Sequence, residues 1–140
     1  LYDTVGRDWV WWQRRTVPDE ELGALLARPD VSVHVLYQGG EPAGFYELER
    51  RGGEAGTNLS YFGLMPHVIG RGMGQALLRR SIDDAWADRP RAVTVNTCTA
   101  DHPRALPNYV SAGFRVLRTM REIWPVPHRL GLRIPDRLRI

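Results

Sequence analysis

The chain has 140 residues, of which 43% are hydrophobic and 25% charged, so its composition predicts one soluble globular domain. All the basic residues are arginine, and the net charge of +3 comes entirely from residues 128–140, which hold four arginines and one aspartate. A nucleic-acid-binding domain should instead spread its basic residues along one surface of the folded body, so this class is disfavoured.

Cellular location and metal content are predicted from features that the sequence lacks. No stretch approaches the ~20 apolar residues that a membrane span requires, and no basic segment precedes the first apolar residues as in a signal peptide. Cys98 stands alone, and no cluster of cysteines and histidines has the spacing of a zinc site. The expectation is a cytoplasmic protein with no membrane partner and no metal.

Helices and a hairpin are predicted in the first third of the chain. Trp9 and Trp12 are three residues apart and could share the core-facing side of one helix. Proline and acids at 18–21 begin a second helix that runs to about Arg28. Two strands, Val31–Tyr37 and Ala43–Arg50, follow with a glycine turn at 38–41 between them.

A strand, a helix and a further strand are predicted in the middle of the chain. The first strand is Asn58–Leu64, the helix runs to about Trp86, and the second strand is Arg91–Cys98. A strand–helix–strand unit requires a parallel pairing, whereas the hairpin requires an antiparallel one. The fold class is therefore α/β, with a mixed sheet and helices on its faces.

Less regular structure is expected in the last third. His102 and Pro103 open a short helix that ends near Ala112, before Gly113. Phe114–Trp124 is mostly extended and counts as the last strand. The tail, 128–140, alternates apolar residues at Leu130, Leu132 and Ile134.

A glycine-rich segment links the strand 58–64 to the helix after it. Successive backbone N–H groups in Gly70-Arg71-Gly72-Met73-Gly74 can point at one anion, and the positive end of the helix dipole adds to the attraction. A lysine-containing Walker loop is excluded, and the spacing departs from the dinucleotide form G-x-G-x-x-G. A strand–helix turn without a ligand stays open as the alternative.

Two blocks of this sequence resemble the GCN5-related N-acetyltransferase (GNAT) superfamily. The first is the loop written Q/R-x-x-G-x-G/A, with Ile69 in the Gln/Arg position and Gly72 and Gly74 in the glycine positions. In the second, Asn-x-x-Ala-x-x-x-Tyr-x-x-x-Gly-Phe, His102 takes the Asn position, whereas Ala105, Tyr109, Gly113 and Phe114 match. The resemblance covers roughly residues 31–124.

The resemblance implies a sheet that is splayed, with acyl-CoA in the opening between strands 58–64 and 91–98. The pantetheine arm would pair with the backbone of Leu64 and Met65, and a backbone N–H near Leu64 would polarise the thioester carbonyl. The amides of Ile69, Gly70, Arg71, Gly72, Met73, Gly74 and Gln75 would hold the pyrophosphate. His102 would contact pantetheine in place of the usual Asn, although a plain helix-capping role is an equal alternative. The family also supplies one strand before residue 1.

Tyr109 takes the position of the residue that protonates the departing CoA thiolate in the family. The alternative is a tyrosine that packs on a helix flank with its hydroxyl in water. No general base is assigned, because Asn58 occupies the position where several family members carry Glu. Distant carboxylates (Glu47, Glu49, Glu54) and imidazoles (His34, His67) stay open as alternatives. Cys98 is expected to be a buried small hydrophobe and not a nucleophile.

The function predicted from the sequence is transfer of an acetyl group from acetyl-CoA to a primary amine by direct attack. The GNAT domain is expected at 1–127, followed by a basic tail at 128–140. The acceptor is a small-molecule or peptide amine, against a wall that includes Tyr2, Trp9, Trp11 and Trp12, and a homodimer is left open. Two alternatives stand beside it: a non-catalytic acyl-CoA-binding module, and an interaction domain that recruits a partner through the tail.

Overall fold

The computed structural model describes all residues, Leu1–Ile140, and is built around a four-stranded mixed sheet. Its strands, in the order β1-β2-β3-β4, are Val31–Gln38, Glu41–Gly52, Gly56–Leu64 and Val93–Val95. The first three pair antiparallel, and β3 pairs parallel with β4. The predicted mixed α/β fold is therefore confirmed.

Four α-helices flank the sheet: α1 at Tyr2–Gly6, α2 at Asp19–Leu26, α3 at Met73–Trp86 and α4 at Ala105–Ser111. The first turn of α2 holds three acids, which interact favourably with the positive end of the helix dipole. The helices predicted at 18–28, up to 86 and at 102–112 are all present. No helix is long and apolar enough to cross a membrane.

The main core lies between α3 and one face of the sheet. Alternate residues of β2, Tyr46 and Leu48, point to this face because side chains of a strand alternate in direction. They meet Leu77 and Leu78 of α3, which lie next to each other on the buried side of the helix. Since Leu48 is fully buried, Leu48→Ala should cost about 2–5 kcal/mol of stability.

The opposite face of the sheet is covered by α1 and the segment that follows it. Phe45 of β2 and Val5 of α1 are buried here, and the Trp11 ring packs edge-on against Phe45. Gly63 of β3 allows this close approach, because a Cβ there would lie 2.3 Å from the Cγ1 of Val5. The helices on both faces thus fix where the aromatic residues of the N-terminal segment lie.

Strands β3 and β4 are paired over only three residue pairs, from Thr57 opposite Val93 to Leu59 opposite Val95. Just beyond that point, an irregularity in the pairing with β2 places Tyr61 opposite Glu47 and Leu59 opposite Leu48, which leaves Ser60 as the extra residue of a bulge. The bulge turns β3 away from β4. The sheet therefore opens from residue 60 onward, as the resemblance implied.

Two strand predictions were wrong in extent or existence. β4 is shorter than the predicted Arg91–Cys98, because its later residues have no partner where β3 diverges. Phe114–Trp124 forms no strand. Its arginines recur every third residue, at 115, 118 and 121, and that period does not match the two-residue alternation of a strand with one buried face.

The N-terminal segment also differs from its prediction, and the tail adds no element to the sheet. Trp9 and Trp12 do not share a helical face, because Val10 takes a left-handed conformation with φ 58° and ends the helical turn. In the tail, the alternation at 130–134 produces no strand, only short 3-10 turns at His128–Leu130 and Asp136–Leu138. Arg15 donates a hydrogen bond to the carbonyl of Leu130, which ties the tail to the body.

Candidate active site

The opening of the sheet exposes backbone groups along one edge of β3. The N–H of Met65 donates to the carbonyl of Ala43, which makes Gly44 and Leu64 a pair without hydrogen bonds to each other. The N–H and C=O of Leu64 consequently point away from β2, toward the gap left by β4. By the same alternation, so do those of Phe62. This edge is free to pair with an extended ligand.

The glycine loop lies directly after this edge. Gly72 has φ 80° and caps α3, which begins at Met73 with no side-chain hydrogen bond to its first amides. Nothing lies within 4 Å of the Cβ that a side chain would add at Gly70 or Gly72. The first-turn N–H groups of α3 therefore face open space at the positive end of a 14-residue helix, which is the geometry of an anion site.

The remaining residues predicted for this site lie along the same path. Ile69 and Arg71 are exposed, and Gln75 donates a long hydrogen bond of 3.4 Å to Asn108 of α4. Met65 differs from Leu64, because its N–H and its C=O already bond to Ala43 and Val68. The N–H of Ile69 is also used, in a long bond of 3.4 Å to the carbonyl of Pro66, so the open backbone groups are those of Leu64 and of Gly70–Gly74.

Tyr109 lies on α4 with its ring packed beside the open edge. The residue is 8% exposed, and its ring lies 6.3 Å from that of Phe62 and 5.9 Å from that of Phe114, centroid to centroid. Every fully buried polar side-chain atom has a hydrogen-bond partner and the Tyr109 hydroxyl has none, so this oxygen must reach an open surface. Burial, and then the charge of Asp101, raise the pKa of Tyr109, so the hydroxyl keeps its proton.

His102 sits in the turn before α4. Its Nδ1 lies 3.1 Å from the N–H of Arg104 and accepts a hydrogen bond from it, so a neutral ring carries its proton on Nε2. Trp9 packs edge-on against this ring, 4.9 Å between centroids. This bond orders the turn before α4, whose N-terminus at Arg104 has no side-chain cap, and it leaves Nε2–H as a donor.

Aromatic side chains of the N-terminal segment collect next to β3. Tyr2 and Trp11 each lie about 5 Å from the Tyr61 ring, at 5.1 and 5.2 Å between centroids. Arg14 stacks over the same ring at 4.4 Å and holds Glu47 in a two-pronged ion pair. Trp12 belongs elsewhere, against Trp124. Tyr2, Trp11 and Tyr61 thus form one wall of the opening, here called the aromatic wall.

The three carboxylates considered as distant bases are all paired with arginine. Glu47 is only 2% exposed and bound to Arg14, Glu49 contacts Arg51 at 2.9 Å, and Glu54 pairs with Arg91. In each pair a guanidinium group occupies a carboxylate oxygen. These glutamates have structural partners and are poor candidates for the base.

Two of the amide and imidazole candidates are engaged by other side chains, and the third lies exposed after β3. Asn58 is 5% exposed, donates to Ser60 and accepts from Thr94, so it ties β3 to β4 where they begin to diverge. His34 stacks on Tyr46 beside α3, and His67 is exposed after β3.

Cys98 is exposed, which corrects the expectation of a buried residue. The loop that follows β4 leaves its side chain at the surface. Desolvation by the surrounding chain, followed by the Asp101 carboxylate, nevertheless raises the pKa of the thiol. A thiol that keeps its proton is a poor nucleophile, so the prediction that Cys98 has no nucleophilic role is consistent with its surroundings.

Asp101 is the residue of this region that sequence reasoning missed. It accepts hydrogen bonds from the Thr97 hydroxyl at 2.8 Å, from the Cys98 N–H at 3.1 Å and from the Trp11 indole at 3.4 Å. Its position directly before the block that begins at His102 was the only sequence signal. The partner Trp11 is 90 residues away, and only the fold brings the two together.

Comparisons with known proteins agree with this arrangement. The fold is that of the acyltransferase-like α/β domains, and the family model described as an acetyltransferase (GNAT) domain matches residues 9–123. The chain therefore belongs to the GNAT acetyltransferase family, which supports acetyl transfer as its general reaction. No curated protein sequence matches the chain significantly.

Solved structures share the fold at low sequence identity. An aminoglycoside acetyltransferase from an uncultured soil metagenomic sample, in complex with trehalose, superposes with a TM-score of 0.68 at 15% identity, over 88% of this chain and 84% of that one. A putative acetyltransferase from Agrobacterium tumefaciens gives 0.61 at 22% identity, over 79% and 84%. A transcriptional regulator from Bacillus halodurans gives 0.64 at 16% identity, over 79% and 78%. At these identities the likeness shows the fold alone.

Proposed function

We propose that the chain transfers an acetyl group from acetyl-CoA to a primary amine by direct attack, with Tyr109 as the general acid. The observation that carries the proposal is the open edge of β3 between its last pair with β4, at Leu59, and the glycine loop. The hydroxyl-bearing ring of Tyr109 packs beside that edge. An extended ligand that ends in a phosphate group fits the open edge, the Tyr109 ring beside it and the glycine loop after it.

Acetyl-CoA would bind in two parts. Its pantetheine arm pairs with the free N–H and C=O of Leu64 as an added strand, next to Met65. Its pyrophosphate takes the amides from Gly70 to Gln75, at the start of α3, with Ile69 directly before them. The N–H of Phe62, which points into the same gap further from the loop, would polarise the thioester carbonyl. His102 would add its Nε2–H to the pantetheine arm.

Tyr109 would then neutralise the sulfur as the tetrahedral intermediate collapses. The C–S bond breaks, its electron pair stays on sulfur, and the Tyr109 proton moves to the thiolate. A free thiol has a pKa of about 8.5 and a free phenol about 10, so the transfer is uphill even before burial raises the Tyr109 pKa further. The phenolate is therefore short-lived and has to regain a proton within the same turnover.

A second candidate function is acyl-CoA binding without turnover. Asn58 favours it, because both ends of its amide are used in hydrogen bonds to Ser60 and Thr94 and neither can serve as a base. The two functions share one binding site and differ only in chemistry.

The test is a screen of primary amines, small and peptidic, with acetyl-CoA, in which release of free thiol is followed. Calorimetry with CoA alone is measured in parallel. Amine-dependent thiol release supports acetyl transfer, and CoA binding without release for any amine selects the second function. Absence of both would refute the site assignment altogether.

A further inference from the structure

Asp101 joins two parts of the opening. Its Oδ1 accepts from the Trp11 indole of the aromatic wall, and its Oδ2 accepts from Thr97 and Cys98 at the end of the β4 segment. The charge of Asp101 is also felt at Tyr109, whose pKa it helps to raise. The carboxylate thus lies between the aromatic wall and the residue proposed to act at sulfur.

The hydrogen bonds of Asp101 leave it able to bind a further donor. A carboxylate has about four acceptor positions, and Asp101 uses two on Oδ2 and one, long at 3.4 Å, on Oδ1. The residue is half-buried and, unlike Glu47, Glu49 and Glu54, has no arginine partner. Its free position is on the oxygen that faces Trp11.

We infer that Asp101 is the anionic subsite for the acceptor's ammonium group and takes the proton that the nitrogen loses when the amide forms. This inference rests on the proposed acetyl transfer. The substrate class it names is an aliphatic amine, cationic at neutral pH, whose apolar part lies against the aromatic wall. Aromatic faces attract such cations, so Tyr2 and Trp11 would add to the binding.

The proton transfers balance over one turnover. The bound ammonium first releases one proton to water, and the nitrogen lone pair forms the C–N bond while the carbonyl pair moves to oxygen. The nitrogen then gives its second surplus proton to Oδ1 of Asp101, the carbonyl reforms, and the C–S pair leaves on sulfur, which takes the proton of Tyr109. The protonated Asp101 finally passes its proton through water to the Tyr109 phenolate, so both residues return to their starting state.

The proton transfer from nitrogen to Asp101 would also affect the acidity of Tyr109. While Asp101 is ionised, its charge adds to the effect of burial in raising the Tyr109 pKa. Once Asp101 has taken the proton from nitrogen it is neutral, and this contribution disappears. Tyr109 thus becomes a stronger acid in the step in which the sulfur leaves. Other titratable groups of this region are Cys98, whose pKa Asp101 raises, the chain neighbour His102, and Arg137, which donates to the carbonyl of Thr99.

The experiment compares Asp101→Asn with Asp83→Asn, which removes the same charge from an exposed position on α3. The acceptors are the best aliphatic amine of the screen and aniline, which is uncharged at neutral pH. We expect kcat/KM for the aliphatic amine to fall about 10²–10⁴-fold in Asp101→Asn and to stay unchanged in Asp83→Asn. KM should rise for the aliphatic amine and not for aniline, and CoA affinity should change little. The melting temperature should fall, because asparagine keeps only one of the two oxygens that accept hydrogen bonds from Trp11, Thr97 and Cys98, so kcat is compared per folded molecule.

Each outcome decides the inference. An Asp101→Asn protein that is folded, binds CoA and keeps full activity on the aliphatic amine would overturn it and leave the proposed function standing. A wild-type protein that acetylates no amine would overturn both. Should Asp101→Asn fail to fold, Asp101→Glu keeps the charge but moves it by one methylene, and an unchanged KM and kcat for the aliphatic amine in that variant would refute the subsite.

Discussion

The replacement Tyr109→Phe separates the chemistry of the hydroxyl from the packing of the ring. The hydroxyl has no hydrogen-bond partner in the protein, so its removal leaves no buried donor or acceptor unpaired. The ring contacts with Phe62 and Phe114 remain. The free energy of unfolding should therefore change by no more than about 0.5 kcal/mol, which is typical of a substitution that breaks no buried contact.

The catalytic effect should be much larger than the effect on stability. Loss of general acid catalysis is typically worth ~10²–10⁴-fold, so kcat for amine acetylation should fall within that range, or by about 3–5 kcal/mol of transition-state stabilisation. CoA affinity should change little, because the phenylalanine ring keeps the contacts of the tyrosine ring with Phe62 and Phe114. The loss should also shrink with acyl donors whose thiol leaves more easily, since those need less protonation.

Tyr46→Phe is the matched control. Tyr46 is also buried, but its hydroxyl donates to the Asp84 carboxylate, and burial raises its pKa to about 12. Its removal should cost about 1.5–3 kcal/mol of stability and leave kcat per folded molecule unchanged. Thermal unfolding and steady-state thiol release measure both quantities. A Tyr109→Phe protein with full kcat on a good acceptor would refute the argument and leave protonation of the sulfur to water.

Three further predictions follow from the same structure. Gly72→Val should abolish CoA binding, measured by calorimetry, in a protein that is still folded. The control Gly131→Val strains a similar left-handed backbone in the tail and should leave CoA binding intact. Equal CoA affinities of the two variants would contradict the phosphate site. Deletion of Arg129–Ile140 should leave CoA affinity within a few-fold, and a collapse of binding would show that the tail is part of the site. Asp84→Asn should destabilise the protein at neutral pH and progressively less below about pH 4. Burial opposes ionisation of Asp84, but hydrogen bonds that include the one from Tyr46 lower its pKa in the folded state. The ionised carboxylate therefore stabilises the fold at pH values above its unfolded-state pKa, and this contribution is lost as the pH falls. A gap between the two denaturation curves that stays constant down to pH 2 would contradict this.

Much of the fold could be predicted from local patterns. The hairpin of β1 and β2 follows from the β-branched alternation of Val31–Tyr37 and from the two-glycine turn after it, and α3 follows from apolar residues three and four apart. The extended segment Phe114–Trp124 failed as a prediction because a strand also needs a partner edge, and no backbone hydrogen bond joins residues 115–123 to the sheet.

The strands β1 to β3, the helices α2 to α4, the glycine loop before α3 and the place of Tyr109 on a short helix could be predicted from the sequence, because each depends on residues within a few turns of one another. Only the tertiary structure decided how the opening is lined. Arg14 reaches Glu47 across 33 residues and Trp11 reaches Asp101 across 90. Such contacts depend on where β3 bulges away from β4 and on how the N-terminal segment crosses the sheet, and no local pattern encodes either distance.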